Sequence, residues 1–167
     1  MKYAGNRFKR SIVKFVLSLL GKAIQEVSKV DEEVKMEMRA LPEGFVAMMK
    51  VLPSGPSMAV KKEGDRFHYL GSDYPEDKAD LVVMFKNLES AFMVLTAQMS
   101  THRAYAEHRI SVKGDLVKAM IFTRCLNIVQ AYLFPKFVAG IVLKRVPPMG
   151  GRQMKRLKVM LNLPFGK

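Results

Sequence analysis

The chain has 167 residues, 49% of them hydrophobic, so it is long enough to form one substantial core and too apolar for a disordered protein. The single cysteine, Cys125, excludes an intramolecular disulfide and any zinc or iron–sulfur centre built from several cysteines. The formal net charge of +13 indicates a negatively charged partner.

The positive charge lies at the two ends of the chain. Residues 1–30 contain seven bases and one acid, residues 31–115 contain eleven bases and fourteen acids, and ten bases with no acid follow residue 115. This division predicts three parts: a basic helix over 1–30, a domain over 31–134 and a basic extension over 135–167. Membrane docking is assigned to basic residues of the two ends, namely Arg7, Lys9, Arg10, Lys14, Arg152, Lys155, Arg156 and Lys158.

Residues 7–29 are predicted to form one amphipathic helix. Apolar residues recur there at spacings of three and four: Phe8, Ile12, Val16, Leu19, Leu20, Ala23, Ile24 and Val27. Val13, Phe15 and Leu17 widen this apolar face beyond what a single core contact needs. The additional apolar surface can contact the core, a second subunit in a homo-oligomer or a lipid surface.

Lys14 interrupts the apolar run and no small-residue cleavage site follows, which argues against a signal peptide. No run approaches the roughly 20 uninterrupted apolar residues of a spanning helix.

The middle of the chain is predicted to be a sheet. Alternating residues over 34–40 indicate a first strand, and turns rich in Gly and Pro separate further strands over 45–52, 57–62 and 66–70. Short turns require antiparallel neighbours, so these strands form a meander, and residues 79–86 continue the sheet after a longer loop.

The second half is predicted to be mainly helical. Asn87 can cap a helix over 88–98, and Asp115 can cap another over 116–132. Between them, residues 109–113 alternate as a strand. Pro147 and Pro148 break the chain before a short basic segment over 152–163.

No catalytic or metal-binding constellation is evident in the sequence. His68, His102 and His108 lack metal-ligand spacing, and Gly150-Gly151 lacks the strand and the Lys-Ser/Thr pair of a phosphate-binding loop. Cys125 lies on an apolar helix face and is expected to be a buried small hydrophobic residue. We therefore expect a protein that is not an enzyme and that needs no cofactor or metal.

Two segments carry a resemblance to a known family. Residues 109–120, RISVKGDLVKAM, break an alternating strand at Gly114-Asp115 and continue as a helix, and Lys78-Ala79-Asp80 precedes a hydrophobic strand. They resemble the sterol carrier protein 2 (SCP2) lipid-binding domain, and the similarity covers roughly residues 45–125. This sequence departs from the family's pattern at Ala97 and at Glu107-His108.

The resemblance implies an α+β fold in which helices cover a mostly antiparallel sheet of five or six strands around an apolar cavity, with an added N-terminal helix. The implied cavity walls are Phe45, Ala47, Met49, Val83, Phe85, Phe92, Leu95, Met99, Tyr105, Ile110, Val112, Met120 and Ile121.

The implied function is to bind and transfer or present a sterol, fatty acyl or isoprenoid-type lipid, in the cytoplasm and at the surface of anionic membranes. The alternative is a nucleic-acid-binding protein that uses both basic ends. The basic segments alternate with aliphatic residues and Met, without tryptophan, which favours lipid over nucleic acid as the partner.

Overall fold

The computed structural model describes residues 2–96, 98–133 and 159, with side chains from residue 7 onward. Apart from residue 159, the predicted extension over 135–167 lies outside the described residues, as do the predicted docking residues Arg152, Lys155, Arg156 and Lys158. The elements, in chain order, are α1 (Lys2–Val30), α2 (Glu32–Met38), β1 (Val46–Val51), β2 (Ser57–Glu63), β3 (Arg66–Gly71), a 3-10 turn (Glu76–Lys78), β4 (Leu81–Phe85), α3 (Leu88–Leu95), α4 (Thr101–Ala106), β5 (Ile110–Gly114) and α5 (Leu116–Leu133).

The sheet has five strands in the order β3-β2-β1-β4-β5. Three neighbouring pairs are antiparallel, but β1 and β4 are parallel, with Ala47 opposite Leu81 and Val51 opposite Phe85. The prediction that residues 79–86 continue the sheet is confirmed by β4, which pairs with β1 and not with β3. After β3 the chain passes back across β2 and β1 and pairs β4 with the free edge of β1, which places β5 at the far edge.

The strand predicted over 34–40 is wrong, because these residues form the helix α2. Asp31 caps this helix, since its Oδ1 accepts hydrogen bonds from the backbone N–H groups of Glu33 and Val34 at 3.0 and 3.1 Å. In the helix Val34 and Met38 are buried four residues apart, while Met36 is 65% exposed. A strand would have placed all three side chains on one face.

The α+β class and the N-terminal helix agree with the prediction. The helices α1, α3 and α5 cover one face of the sheet, and their apolar residues join those of the strands in a single buried layer. A smaller cluster of Val46, Met48, Ala59 and Val82 lies on the opposite face. Asn87 and Asp115 cap α3 and α5 as predicted, each through a side-chain oxygen.

The C-terminal half of α1 seals the edge strand β3. The Ser28 Oγ accepts a hydrogen bond from the Phe67 N–H at 3.0 Å, and the Gln25 Oε1 accepts one from the Tyr69 N–H at 2.9 Å. Both residues of α1 are buried. Edge strands otherwise present free N–H groups to other chains, so α1 completes this side of the fold.

Among the described residues, α5 alone is long and apolar enough to cross a membrane by length and composition. Its Phe122, Cys125 and Val129 are fully buried in the layer between helices and sheet. A helix packed in this way belongs to the core of a folded domain. Core helices can be as long and as apolar as a membrane-spanning helix.

Candidate hydrophobic-ligand site

The layer between the sheet and the helices brings together eleven of the thirteen predicted wall residues. The strands contribute Phe45 (just before β1), Ala47, Met49, Val83, Phe85, Ile110 and Val112; the helical segments contribute Phe92, Leu95, Met99 and Ile121. All eleven are buried in this layer or packed against it. The wall residues of β1, β4 and β5 alternate along each strand, so they lie on one face of the sheet, and this face is the one that packs against the helices.

The remaining two predicted wall residues, Tyr105 and Met120, are each 56% exposed, so their inward placement was wrong. The segment before β5 is the helix α4, which buries Ala104 and turns Tyr105 to the surface. In α5 the buried positions are Ala119, Ile121 and Phe122, and the helix directs Met120 away from them.

The two segments that carry the family resemblance meet in space. The Asp80 Oδ2 accepts a hydrogen bond from the Val46 N–H at 2.8 Å, which ties the start of β1 to that of β4. Gly114, opposite Leu81 and with φ of +125°, lies so close that a Cβ would stand 2.5 Å from the Asp80 carbonyl oxygen. The Lys-Ala-Asp and Gly-Asp signatures thus align the strands that form one wall of the layer.

The apolar layer reaches the surface at the start of α5. Leu116, Val117 and Met120 are 61, 67 and 56% exposed, although Ala119 and Ile121 in the same two turns belong to the core. An exposed apolar surface that continues a core in this way marks a candidate site of contact with another molecule. Six of the seven residues over 116–122 are apolar. The sequence therefore indicates an apolar segment, and only the helical phase shows which of its side chains reach the surface.

Two polar side-chain atoms on the helices α3 and α5 are buried without a hydrogen-bond partner among the described residues. They are the Ser90 Oγ on α3 and the Gln130 Oε1 on α5. Buried oxygens of this kind are usually paired, so each can accept or exchange a hydrogen bond with a polar atom of a bound molecule.

A separate open cleft of about 380 Å³ lies at the carboxyl ends of the parallel strands β1 and β4. It is lined by Arg10, Val51, Leu52, Pro53, Ser54, Gly55, Pro56, Asn87, Leu88 and Glu89. None of the predicted wall residues lines it, so this cleft is distinct from the layer described above.

The four predicted docking residues of α1 divide into two groups. The Lys9 ammonium pairs with Glu89 and lies 5.5 Å from the centre of the Phe92 ring, and Arg10 donates to the Ser54 carbonyl oxygen at 2.9 Å. Arg7 and Lys14 are exposed. Lys9 and Arg10 therefore help to hold α1 on the domain.

The titratable groups give no support to nucleophilic chemistry at Cys125. Burial raises the pKa of this thiol from 9.0 to about 12, so the thiolate is scarce at neutral pH. In the part of the chain that the structure describes, no cluster of three or more His, Cys, Asp or Glu residues could hold a metal ion.

No family model and no curated protein matches the chain. Among solved structures it is similar to a protein described as UbiJ-SCP2 ubiquinone synthesis protein, with 16% identity, a TM-score of 0.45 and coverage of 73% of this chain and 98% of that one. It is similar to a conserved hypothetical protein from Thermus thermophilus, described as possibly a sterol carrier protein, with 12% identity, a TM-score of 0.46 and coverage of 74% and 86%. It is also similar to apo sterol carrier protein 2 from Yarrowia lipolytica, with 13% identity, a TM-score of 0.45 and coverage of 67% and 87%.

Proposed function

We propose that this protein is a non-catalytic carrier that binds a long-chain hydrophobic ligand, of the lipid or isoprenoid-lipid class, between the sheet and the helices α1, α3 and α5. The observation that carries the proposal is the apolar layer that reaches the surface at Leu116, Val117 and Met120. Two of the similar structures are named for sterol carrier proteins and one for ubiquinone synthesis, and sterols and ubiquinone belong to the proposed class of ligand.

The chemistry of the layer suits a flexible apolar chain. Met38, Met49, Met58 and Met99 are buried in it, and their unbranched thioethers can change rotamer to make room for a ligand. Burying a methylene group is worth about 0.8 kcal/mol, so even a short acyl chain gains several kcal/mol from such a site. The Ser90 Oγ and Gln130 Oε1 offer hydrogen bonds to a polar head group.

We propose further that the carrier works in the cytoplasm and exchanges its ligand at anionic membranes. The net charge of +13 and the basic stretch over residues 7–22 support an anionic surface as the partner.

Native mass spectrometry of the purified full chain tests the ligand directly. We expect a co-purified molecule of lipid mass at one per chain, and saturable binding of a fluorescent fatty-acid analogue. The double variant Leu116→Glu/Met120→Glu should weaken analogue binding by about tenfold, because charge at the entrance opposes passage of an apolar chain.

Met36→Glu is the matched control, since Met36 is equally exposed but lies on α2. It should leave binding unchanged. Absence of both a co-purified lipid and saturable analogue binding would overturn the proposed function.

A further inference from the structure

The helix α1 carries two apolar stripes, and only one of them is used by the core. The first consists of Val13, Leu17, Leu20, Ile24 and Val27, all of which are buried. The second, here called the outer stripe, consists of Phe8, Ile12, Phe15 and Leu19, spaced by four, three and four residues. Phe8 and Phe15 are 68 and 67% exposed, and Ile12 and Leu19 are half-buried.

The spacing shows that the outer stripe is a continuous strip along the helix. Positions four, three and four residues apart return to the same side of a helix with 3.6 residues per turn. The core stripe repeats the same spacing five residues later, which places it about 140° around the helix from the outer stripe, so it faces a different direction. Two phenyl rings left in water on one strip form an apolar patch that calls for a partner.

The charges that α1 itself places beside the outer stripe are all of one sign, while Glu89 of α3 pairs with Lys9. Arg7, Lys14 and Lys22 lie along one flank, and the sequence contains no acid between residues 7 and 25. The first acid of the helix, Glu26, is only 4% exposed and pairs with Lys29. The outer stripe is therefore an apolar strip beside a purely basic margin.

This charge pattern decides between the two occupants that an apolar helix face could have. Pairing with a second copy would bring the cations of both helices together without any acid to offset them, which opposes a helix–helix seam. A bilayer rich in anionic lipids offers both an apolar boundary for the phenyl rings and phosphates for the cations.

We infer that the outer stripe of α1 is a docking face for an anionic membrane surface, with Phe8 and Phe15 inserted at the head-group boundary. The inference deepens the proposed function and rests on it, because it identifies the surface through which the carrier meets the membrane. The core stripe and the contacts of Lys9 and Arg10 hold α1 on the domain, so the whole domain docks without releasing the helix.

The absence of tryptophan from the sequence allows a clean experiment. In Phe15→Trp the only indole reports on the outer stripe, and in the control Met36→Trp the only indole reports on an equally exposed position of α2. Vesicles of phosphatidylcholine with 30% phosphatidylglycerol should shift the Phe15→Trp emission to the blue, and pure phosphatidylcholine vesicles should shift it much less. The Met36→Trp emission should not move with either.

Sedimentation with the same vesicles tests the residues. Phe8→Ala/Phe15→Ala should lower the apparent partition coefficient by about tenfold or more, as expected from the loss of two buried aromatic side chains. Lys14→Glu should lower it more than Lys78→Glu, which changes the net charge equally at an exposed site away from α1. Equal effects of these two charge variants, or no blue shift in Phe15→Trp, would overturn the docking face.

Two further readouts separate the competing outcomes. A concentration-dependent blue shift without vesicles, accompanied by dimers in sedimentation velocity, would replace the membrane by a second copy and overturn the inference. Analogue binding in vesicle-free solution is measured on the same variants. Normal analogue binding without a vesicle response overturns the docking face alone, whereas vesicle docking by a chain that binds no analogue supports the docking face and overturns the carrier function.

Discussion

The Tyr132 hydroxyl donates a hydrogen bond to the Asp31 Oδ2 at 2.6 Å, with both residues buried and 101 positions apart in the chain. Asp31 also caps α2 through its other oxygen. This contact ties the end of α5 to the junction between α1 and α2, so three helices share one polar anchor inside an otherwise apolar layer.

Removing the hydroxyl in Tyr132→Phe should lower the free energy of unfolding by about 1–3 kcal/mol, because a buried carboxylate oxygen loses a donor. Urea unfolding followed by circular dichroism measures the change. Tyr105→Phe, on an exposed ring of α4, serves as the control and should be neutral. Equal stability of the two variants would show that the anchor contributes nothing.

Gly114→Ala should be strongly destabilising, by at least about 2 kcal/mol, because the new Cβ meets the Asp80 carbonyl oxygen at 2.5 Å and φ is +125°. Gly44→Ala separates the two causes. Gly44 also has a positive φ, of +75°, but a Cβ there meets nothing within 4 Å. Its cost should be limited to about 1–2 kcal/mol of backbone strain. Thermal unfolding of both variants measures the difference, and a similar loss in each would argue against the overlap with Asp80.

Cys125 should weaken the fold at alkaline pH. Burial raises the pKa of its thiol to about 12, whereas the unfolded chain releases that proton near 9.0. Between these values the folded state binds more protons than the unfolded state, so the free energy of unfolding falls as pH rises, by up to about 1.4 kcal/mol per pH unit. The contribution of the protonated thiol to the free energy of unfolding is fully present below pH 9. Cys125→Ala should lack this pH-dependent contribution, so the difference between the free energies of unfolding of the two proteins at each pH measures it. If the two free energies change in parallel from pH 8 to 11, the thiol is not buried as described.

Gln25→Ala/Ser28→Ala should open the edge of β3. The N–H groups of Phe67 and Tyr69 lose their acceptors, which costs about 1–3 kcal/mol for each buried group left unpaired. We also expect faster aggregation, since a free edge recruits other strands. Light scattering at equal folded fraction tests this, with Ser11→Ala on the exposed side of α1 as the control. No difference in aggregation between the two would contradict edge protection.

The local elements were predictable from the sequence to within one or two residues where alternation was bounded by turn residues, as for β2. Helix starts were predictable where a capping side chain was present, as for Asn87 and Asp115, but α3 ends at Leu95, three residues before the predicted end. Val34, Met36 and Met38 alternate as in a strand, although they belong to the helix α2. Val34 and Met38, four residues apart, share one face in a strand and in a helix alike. The Asp31 cap is the feature that distinguishes the helix from the strand.

The pairing of β1 with β4 could not be predicted, since nothing local in either strand records a neighbour more than thirty residues away. The same limit applies to α1. Apolar residues occupy both of its stripes, and only contact with β3 and α5 determines which stripe is buried. Strand alternation places the wall residues of each strand on one face, but only packing against the helices shows that this face is the inward one. The placement of Tyr105 and Met120 depends instead on helical phase.

The two stripes of α1 also affect the order in which the chain matures. During synthesis α1 precedes the strand whose edge it seals and the helix that covers its core stripe, and α5 is complete only at Leu133. Until then the nascent chain displays a basic helix with apolar residues on both sides, which is a surface that chaperones bind. Ribosome-bound chains ending before α5 should therefore hold α1 on a chaperone and release it once α5 has docked.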